Sequence, residues 1–244
     1  MNLLDRIAGP DDLHRLDPTQ LAALAQECRE RIIAVITRRG GHLASNLGIV
    51  ELTLALHRRF NSPKDKLVWD TSNQCYTHKL VTGRHDRFDS VRSPGGLSGF
   101  AEPMESPHDT LVAGHAGTGI SYALGMALAL QDQPDAPYVV AVVGDGAMTS
   151  GLAYEAINNI VQLRARRLIT VFNDNGWSIS ENVGWLPAWR QRAERGEGGA
   201  LWRELGFRYI GPVPGHDLPA LEAALDQARA ASADGTPVLV HVLT

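Results

Sequence analysis

The chain has few cysteines, little net charge and no long hydrophobic run, and each shortage excludes a class of protein. Its two cysteines in 244 residues, Cys28 and Cys75, lie far apart and form no CxxC pair. We therefore expect two packed, reduced thiols rather than a disulfide or a zinc site. The formal net charge of -4 provides no basic surface for nucleic acid and no polybasic anchor for a membrane.

The hydrophobic residues are spread along the chain. The N-terminal sequence MNLLDRIAGPDDL has no basic region followed by an apolar core, so no signal peptide is expected. The most apolar stretch, GTGISYALGMALAL, is too short and too rich in glycine to span a bilayer. The length and the 44% hydrophobic content suit one large α/β domain. We expect a soluble, cytoplasmic protein with no membrane or nucleic-acid partner.

Strands and helices alternate along the second half of the chain. The pattern predicts strands over 138–143, 168–172, 207–210 and 238–243, with helices over 150–163 and 217–231. Such alternation predicts an α/β fold, with a doubly wound, mostly parallel sheet and helices on both faces.

The first half is less regular. Helical spacing is found over 16–37, from about 47 to 60 and over 118–130, with a short strand over 66–70 and long loops over 71–105. The charged, glycine-rich sequence WLPAWRQRAERGEGG at 185–199 is interpreted as a flexible insertion. Residues 1–244 are predicted to form a single domain.

Two polar motifs follow apolar strands: Gly-Asp-Gly around Asp145 and Asn-Asp-Asn ending at Asn175. In a doubly wound sheet, ligands bind beyond the carboxyl ends of the strands. Gly146 would let the backbone approach a phosphate, whereas Asp145 would repel it unless a hard cation such as Mg²⁺ lay between them. Gly-Asp-Gly alone is a common turn, but the second motif favours a diphosphate and Mg²⁺ site, with Asn175 and a nearby backbone carbonyl as further oxygen ligands.

Gly-Asp-Gly followed about thirty residues later by Asn-Asp-Asn resembles the signature of thiamine-diphosphate enzymes. The segments GGHLASNLGIVELTLALHRRF, HKLVTGRHDRF, GGLSGF, ESPHDTLVAGHAGTGISYALGMALA, NDNGWSISENVG and GFRYIGPVPGHD resemble the 1-deoxy-D-xylulose-5-phosphate synthase family, which is related to transketolase. The resemblance covers residues 3–244. It implies a thiamine-diphosphate-binding fold and the first, diphosphate-binding domain of the family.

The resemblance also implies roles for individual residues. The metal ligands would be Asp145, Asn175 and the backbone carbonyl of Trp177, and His42, Asn73 and His115 would occupy catalytic positions. Residues matching cofactor contacts are Gly114, His115, Ala116, Gly144, Gly146, Ala147, Asn175 and Tyr209. For His78 and His216, structural and functional roles are equally open.

Three departures from the family pattern affect this assignment. Asn73 stands where the family has histidine in Asp-Val-Gly-His-Gln-Ala-Tyr, and an amide cannot take up or release a proton. Gly176-Trp177 replaces the usual Glu-Met after Asn-Asp-Asn. The long segment that the family carries after Glu-Asn-Val-Gly is shortened here to 185–199.

The resemblance implies a thiamine-diphosphate-dependent transferase that needs a second chain. In the family, a glutamate that hydrogen-bonds the cofactor's aminopyrimidine and the arginines that bind a phosphorylated acceptor lie on later domains, which this sequence lacks. We expect one subunit of a split carboligase, moving an acyl or ketol unit from a 2-oxo acid such as pyruvate, or from a ketose, to an aldehyde. The partner would carry the pyrimidine-binding domain, in a dimer of heterodimers, and would face an apolar rim around Leu43, Trp177, Ile179 and Leu186.

Two other functions are considered. A non-catalytic paralogue or excised domain, binding cofactor or partner without turnover, is favoured weakly by Asn73 and disfavoured by the intact Asp145 and Asn175. A dinucleotide-binding dehydrogenase built on the glycines of GHAGTG is disfavoured, because they do not follow the G-x-G-x-x-G order and no acidic ribose partner follows a second strand.

Overall fold

The computed structural model describes residues 2–244 and contains a five-stranded parallel sheet. Its strands are β1 Lys66–Trp69, β2 Val139–Gly144, β3 Leu168–Asp174, β4 Arg208–Pro214 and β5 Val238–Leu243. They lie in the order β1-β2-β3-β5-β4, and each neighbouring pair is parallel. The central strands are rich in β-branched residues and buried on both faces, as covered parallel strands usually are. The predicted fold class is confirmed.

Helices cover both faces of the sheet. They are α1 Pro18–Arg39, α2 Ala44–Gly48, α3 Val50–Arg59, α4 Tyr76–Lys79, α5 Gly119–Leu130, α6 Asp145–Met148, α7 Gly151–Leu163, α8 Trp185–Glu194, α9 Gly199–Glu204 and α10 Leu218–Ser232. Helices α1, α3 and α10 share a hydrophobic core with one face. Helices α5, α7, α8 and α9 form a second core with the other face, so the sheet is the middle of three layers.

The long first helix begins where its sequence signal predicts. The Asp17 carboxylate accepts a hydrogen bond from the Gln20 backbone N–H at 2.9 Å, and the Gln20 side chain accepts one from the Asp17 backbone N–H at 3.0 Å. Pro18 occupies the first turn, where its missing N–H costs nothing. The helix ends at Gly40, whose φ of +73° lies in the region that glycine favours.

Several predicted element boundaries were wrong. Strand β3 continues to Asp174, so most of the Asn-Asp-Asn motif lies inside the strand. The helix predicted from about 47 to 60 is divided into α2 and α3 at Ile49, and the one-turn helix α6 precedes α7. The stretch predicted as long loops contains α4, a π-helix over Leu80–Arg84 and a 3₁₀ turn over Phe88–Ser90.

A buried network of charged side chains orders that stretch. Asp109 accepts hydrogen bonds at 2.7 Å from both terminal nitrogens of Arg84 and one at 2.8 Å from His78 Nε2. Lys79 Nζ donates to Glu105 at 2.5 Å. Burial lowers the pKa of His78 to about 4, so its imidazole is neutral at pH 7. Because buried charges need partners, the network fixes these loops, and His78 is part of it.

The segment 185–199 contains helix α8, where the sequence indicated an irregular insertion. Trp189 is buried and stacks on Phe172 of β3 with ring centroids 5.8 Å apart. Its indole Nε1 donates a hydrogen bond to the Gly198 carbonyl at 3.0 Å. The flexibility of the segment stays a prediction, but Trp189 belongs to the core.

Cys28 and Cys75 are buried free thiols, as the sequence predicted. Burial raises the pKa of each thiol to about 12, which keeps both protonated and unreactive near neutral pH. None of the helices within residues 2–244 combines the length and apolar composition that crossing a bilayer requires.

Replacing Trp189 by alanine measures how firmly α8 is docked. Truncating a buried tryptophan costs about 3–5 kcal/mol, so we expect Tm to fall by roughly 6–20 °C. The matched control is Trp185→Ala on the same helix, where the side chain is 42% exposed and a much smaller loss is expected. Differential scanning fluorimetry measures both, and equal, small shifts would show that α8 contributes little to the core.

Candidate functional site

A cavity of about 520 Å³ opens at the carboxyl ends of β1, β2 and β3. The register pairs Gly144 with Asn173, so the residues that follow these two strands lie side by side. Most of the predicted site residues line the cavity: His42, Asn73, Ala116, Gly144, Asp145, Gly146, Ala147, Asn175 and Trp177. This is the edge at which open α/β sheets bind ligands.

Asp145 is a buried carboxylate, 3% exposed, at the end of β2. One oxygen accepts a hydrogen bond from the Gly146 backbone N–H and the other from the Asn182 side-chain amide, both at 2.8 Å. Burial, followed by the nearby Asp174 carboxylate, raises the pKa of Asp145 to about 6. A carboxylate held in these surroundings would gain from a cation beside it.

Asn175 and Trp177 lie on one tight turn after β3. The Asn175 side-chain oxygen accepts a hydrogen bond from the Trp177 backbone N–H at 2.8 Å, and Gly176 between them has a φ of +79°. The turn lies beside Asp145 at the same cavity, so a carboxylate, an amide and a backbone carbonyl are available together. Oxygen donors of this kind suit Mg²⁺, and residues 2–244 contain no cluster of three or more His, Cys, Asp or Glu side chains that could hold a metal.

The lack of a side chain at Gly146, which is predicted to lie beside a phosphate, also lets the loop that carries Ser178 approach closely. A Cβ atom at Gly146 would lie 2.7 Å from Ser178 Oγ and 3.0 Å from Ser178 Cβ. A Cβ at Gly117, where φ is +84°, would lie 2.4 Å from Ser150 Cβ. Glycine at these positions therefore lets three loops close around one space.

Asp70 is a buried carboxylate beside the cavity that the sequence reasoning did not single out. It follows β1, is 1% exposed, and accepts hydrogen bonds from the backbone N–H groups of Gly117 at 2.9 Å and Gly119 at 2.8 Å. Burial raises its pKa despite these bonds. Asp70 thus holds the GHAGTG loop at the cavity wall, and a carboxylate directly after an apolar strand was the signal that could have revealed it.

Asn46, also missed, joins the two predicted catalytic positions in the first half of the chain. Its fully buried amide nitrogen donates to the backbone carbonyls of His42 at 2.6 Å and Asn73 at 2.8 Å. Its oxygen accepts from the Tyr76 backbone N–H at 2.8 Å. Both of its N–H donors are used to fix His42 relative to Asn73, a role that periodicity alone does not reveal.

His42 presents a neutral imidazole to the cavity. Burial and the charge of Arg92 lower its pKa, and the ring lies 6.0 Å from that of Phe100. Its Nδ1 atom is buried with no hydrogen-bond partner within residues 2–244. A buried polar atom without a protein partner commonly meets a ligand or water.

The backbone before Asn73 is strained. Thr71 and Ser72 both have a φ of +56°, a region that non-glycine residues seldom occupy. Ser72 stands where the family pattern quoted above has glycine, and its hydroxyl accepts a hydrogen bond from the Ala101 N–H at 3.1 Å. Such strain often accompanies functional sites, and here it turns Asn73 toward the cavity.

The structure does not bring every predicted residue to the cavity wall. Gly114 and His115 are exposed on the GHAGTG loop beside it. Tyr209 lies away from it, where its hydroxyl hydrogen-bonds His241 Nδ1 at 2.8 Å within the aromatic cluster around Trp189. His216 is a surface residue beside Glu51, at 3.1 Å.

Solved structures define the class of fold. The chain superposes on transketolase from Campylobacter jejuni with a TM-score of 0.77 at 19% identity, covering 94% of this chain and 38% of that one. For transketolase from Leishmania mexicana the TM-score is 0.73 at 21% identity, covering 92% and 36%. The protein therefore has the transketolase type of α/β fold.

Sequence comparison identifies the family. The 1-deoxy-D-xylulose-5-phosphate synthase family model matches residues 4–197 and 190–244. The 1-deoxy-D-xylulose-5-phosphate synthase of Myxococcus xanthus is 49% identical over 242 residues, and that of Thermus thermophilus is 45% identical over 278. The chain belongs to this family and corresponds to its N-terminal domain.

The matches also show how much of the relatives the chain represents. Both alignments cover 99% of this chain, but only 40% of the Myxococcus protein and 45% of the Thermus protein. The two family-model matches meet inside 190–197, where the sequence indicated a shortened segment. The alignment of 242 residues with the Myxococcus protein has almost no room for an insertion, so that relative shares the short form.

Asp145→Asn is expected to stabilise the metal-free chain at neutral pH. The folded-state pKa of about 6 lies above the unfolded value of about 3.9, so ionised Asp145 opposes folding above pH 6, and the penalty disappears as the pH falls toward about 3. The variant should exceed wild type in Tm by roughly 3–6 °C at pH 7.5. The difference should fall to about a third of that at pH 4.5 and approach zero only near pH 3, below the unfolded pKa. Thermal melts in EDTA measure it, and a difference independent of pH would contradict the electrostatic origin.

Proposed function

We propose that this chain is the thiamine-diphosphate- and Mg²⁺-binding subunit of a split carboligase of the 1-deoxy-D-xylulose-5-phosphate synthase and transketolase type. The observation that carries the proposal is the meeting of Asp145, Asn175 and the Trp177 backbone at one cavity, in a chain of this family. A second subunit would carry the pyrimidine-binding domain, giving a cytoplasmic dimer of heterodimers.

In the proposed enzyme, Asp145, Asn175 and the Trp177 carbonyl hold the metal ion. The cation would offset the repulsion between the Asp145 carboxylate and the diphosphate, which Gly144, Gly146 and Ala147 would help to hold. The Asn175 side-chain oxygen accepts one hydrogen bond, from the Trp177 N–H, and its second lone pair would be available to the metal. Thiamine diphosphate, when bound, supplies the carbon nucleophile and electron sink that carry the transferred unit.

His42 and Asn73 face the space in which the substrate would react. A neutral His42 at the cavity wall can accept a hydrogen bond or a proton from a donor or acceptor hydroxyl. Asn73 can orient a substrate oxygen but cannot change protonation state. We infer that His42 carries the proton transfers of this half of the site, while the exposed His115 contacts the cofactor from the loop beside it.

The carboxylates of the cavity support the need for a partner. Its wall contains two, Asp70 and Asp145. Both oxygens of Asp70 are taken by backbone N–H groups, and Asp145 is assigned to the metal. We infer that the carboxylate that would hydrogen-bond the aminopyrimidine is supplied by the second subunit.

An apolar rim supports the same arrangement. Trp177, Ile179 and Val183 are 59%, 103% and 82% exposed at or near the mouth of the cavity. Neighbouring exposed apolar side chains of this kind often mark an interface. Leu186, which was expected in this rim, is instead 2% exposed and belongs to the core, because α8 turns it toward the sheet.

The reaction follows from the same family assignment. We propose transfer of an acyl or ketol unit from a pyruvate-like 2-oxo acid or a ketose to an aldehyde acceptor. The name of the Myxococcus relative, a synthase of a ketose phosphate, supports the choice. The alternative, a chain that binds cofactor or partner without turnover, is favoured by one observation, the amide of Asn73 at a position where the family pattern has histidine.

Cofactor binding tests the metal assignment. Calorimetric titration of thiamine diphosphate in the presence of Mg²⁺ should show saturable binding to the chain, assembled with its partner where binding needs it. Asp145→Asn should weaken binding by at least about 100-fold, more than the usual 10–100-fold effect of residues around a metal's ligands. The control, Asp132→Asn, changes an exposed carboxylate that pairs with Arg166 and should bind as wild type. Unchanged affinity in Asp145→Asn would place the metal elsewhere.

Turnover tests the division of the site. The purified chain should not consume a 2-oxo acid plus an aldehyde, and it should do so when mixed with a protein that carries the pyrimidine-binding domain, first of all the product of a neighbouring gene. Full turnover by the chain alone would contradict the split-enzyme proposal. Saturable cofactor binding by a mixture that produces no turnover would favour the non-catalytic alternative.

A further inference from the structure

The middle residue of the Asn-Asp-Asn motif has a different environment from its neighbours. Asp174 is 1% exposed and does not line the 520 Å³ cavity. One of its oxygens accepts hydrogen bonds from the Gly176 N–H and Arg190 Nη1, each at 3.1 Å. The other faces His241 Nε2 at 3.0 Å. Asp174 is therefore bonded to the turn that follows it, to strand β5 and to helix α8.

Arg190 reaches this carboxylate from α8 and lies directly against the turn. A Cβ atom at Gly176 would come within 2.4 Å of Arg190 Nη1. The guanidinium Nε donates to Glu194 at 3.2 Å, which orients the group, and the side chain is 23% exposed. The helix that carries Arg190 is anchored by the buried Trp189. The guanidinium thus joins a core helix to the backbone between Asn175 and Trp177.

We propose that Arg190 is a positioning residue that braces the 175–177 turn through Asp174 and Gly176. The inference rests on the proposed function, in which that turn carries two metal ligands. Within residues 2–244 the hydrogen bonds of the Arg190 side chain go to Asp174 and Glu194 and not to these two ligands. Its effect is to hold the Gly176 backbone, so that the Asn175 side chain and the Trp177 carbonyl start from one position instead of many.

Charge supports the same role. Asp174 and Asp145 are buried near each other at adjacent strand ends, and Asp174 is one cause of the raised pKa of Asp145. The Arg190 guanidinium pairs with Asp174 and with nothing at Asp145. The pair therefore neutralises one carboxylate and leaves the other for a cation. Removing one member of a buried ion pair leaves an uncompensated charge, which is strongly unfavourable.

The segment 185–199 carries this arginine. The segment lies where the family model matches in two overlapping pieces. In this chain it folds back as α8 and delivers a cation to the end of β3. The segment therefore does more than link β3 to β4, because it places an arginine against Gly176.

Arg190→Met removes the charge but keeps much of the side chain's length, and Arg190→Lys keeps the charge but loses the planar fork. Arg192→Met is the matched control, because Arg192 lies on the same helix, is 57% exposed and within residues 2–244 forms an ion pair only with Glu197, at 3.6 Å. The first measurement is amide hydrogen exchange of residues 175–183 in the cofactor-free chain. We expect exchange at least about tenfold faster in Arg190→Met, an intermediate rate in Arg190→Lys, and the wild-type rate in Arg192→Met.

The second measurement is the binding of Mn²⁺, used in place of Mg²⁺ and followed by electron paramagnetic resonance in the presence of thiamine diphosphate. Arg190→Met should weaken it by about 10–100-fold, as is usual for groups that orient a metal's ligands. Wild-type exchange and wild-type affinity in Arg190→Met would overturn the inference. If wild type itself binds no Mn²⁺, the proposed function fails and hydrogen exchange alone decides the role of Arg190. If circular dichroism shows that Arg190→Met is unfolded, Arg190→Lys is used, and wild-type exchange in that variant overturns the inference.

Discussion

The structure of the site depends on one electrostatic constraint: two carboxylates, Asp145 and Asp174, are buried close together at the ends of neighbouring strands. The parallel register of β2 and β3 makes this unavoidable, because Gly144 is paired with Asn173. Arg190 and His241 surround Asp174, whereas Asp145 is bonded only by amide groups and has a pKa raised to about 6. The protein's own cation, the Arg190 guanidinium, neutralises Asp174, and Asp145 is left able to attract a cation from solution.

The loops that close the cavity are held by buried polar groups rather than by hydrophobic packing. Asp70 holds the GHAGTG loop through two backbone N–H groups, and Asn46 holds His42 and Asn73 through their carbonyls. The Arg84–Asp109 pair orders the chain that leads to that loop. Each buried polar group would be costly without its partners, so these loops have few alternative conformations. A rigid wall of this kind keeps a site in place without a regular element behind every residue.

Much of the fold and part of the site could be predicted from the sequence. Alternating apolar runs give the strands and helices, and the positions of Asp145 and Asn175 after two such runs place them at one sheet edge. Other features depend on contacts that a one-dimensional pattern does not contain. Asp70 accepts hydrogen bonds from Gly117 and Gly119, which lie 47 and 49 positions further along the chain. Asp174 contacts His241, 67 positions further along, and the same histidine hydrogen-bonds the Tyr209 hydroxyl away from the cavity. The charged, glycine-rich composition of 185–199 concealed the apolar residues by which α8 packs, because they are spaced at helical intervals among arginines and glutamates.

The distribution of titratable groups limits what this chain contributes to chemistry. At the cavity, Asp70 is bonded on both oxygens, Asp145 is assigned to the metal and Asn73 has no proton to exchange. That leaves His42, whose pKa is lowered by burial and by Arg92, which favours the neutral imidazole, the form that can accept a proton. In the proposed enzyme, a group on the partner must then activate the cofactor, while His42 serves the substrate. The group that activates the cofactor and the group that exchanges protons with the substrate would thus lie on different chains. Assembly would then be required for the reaction as well as for cofactor binding.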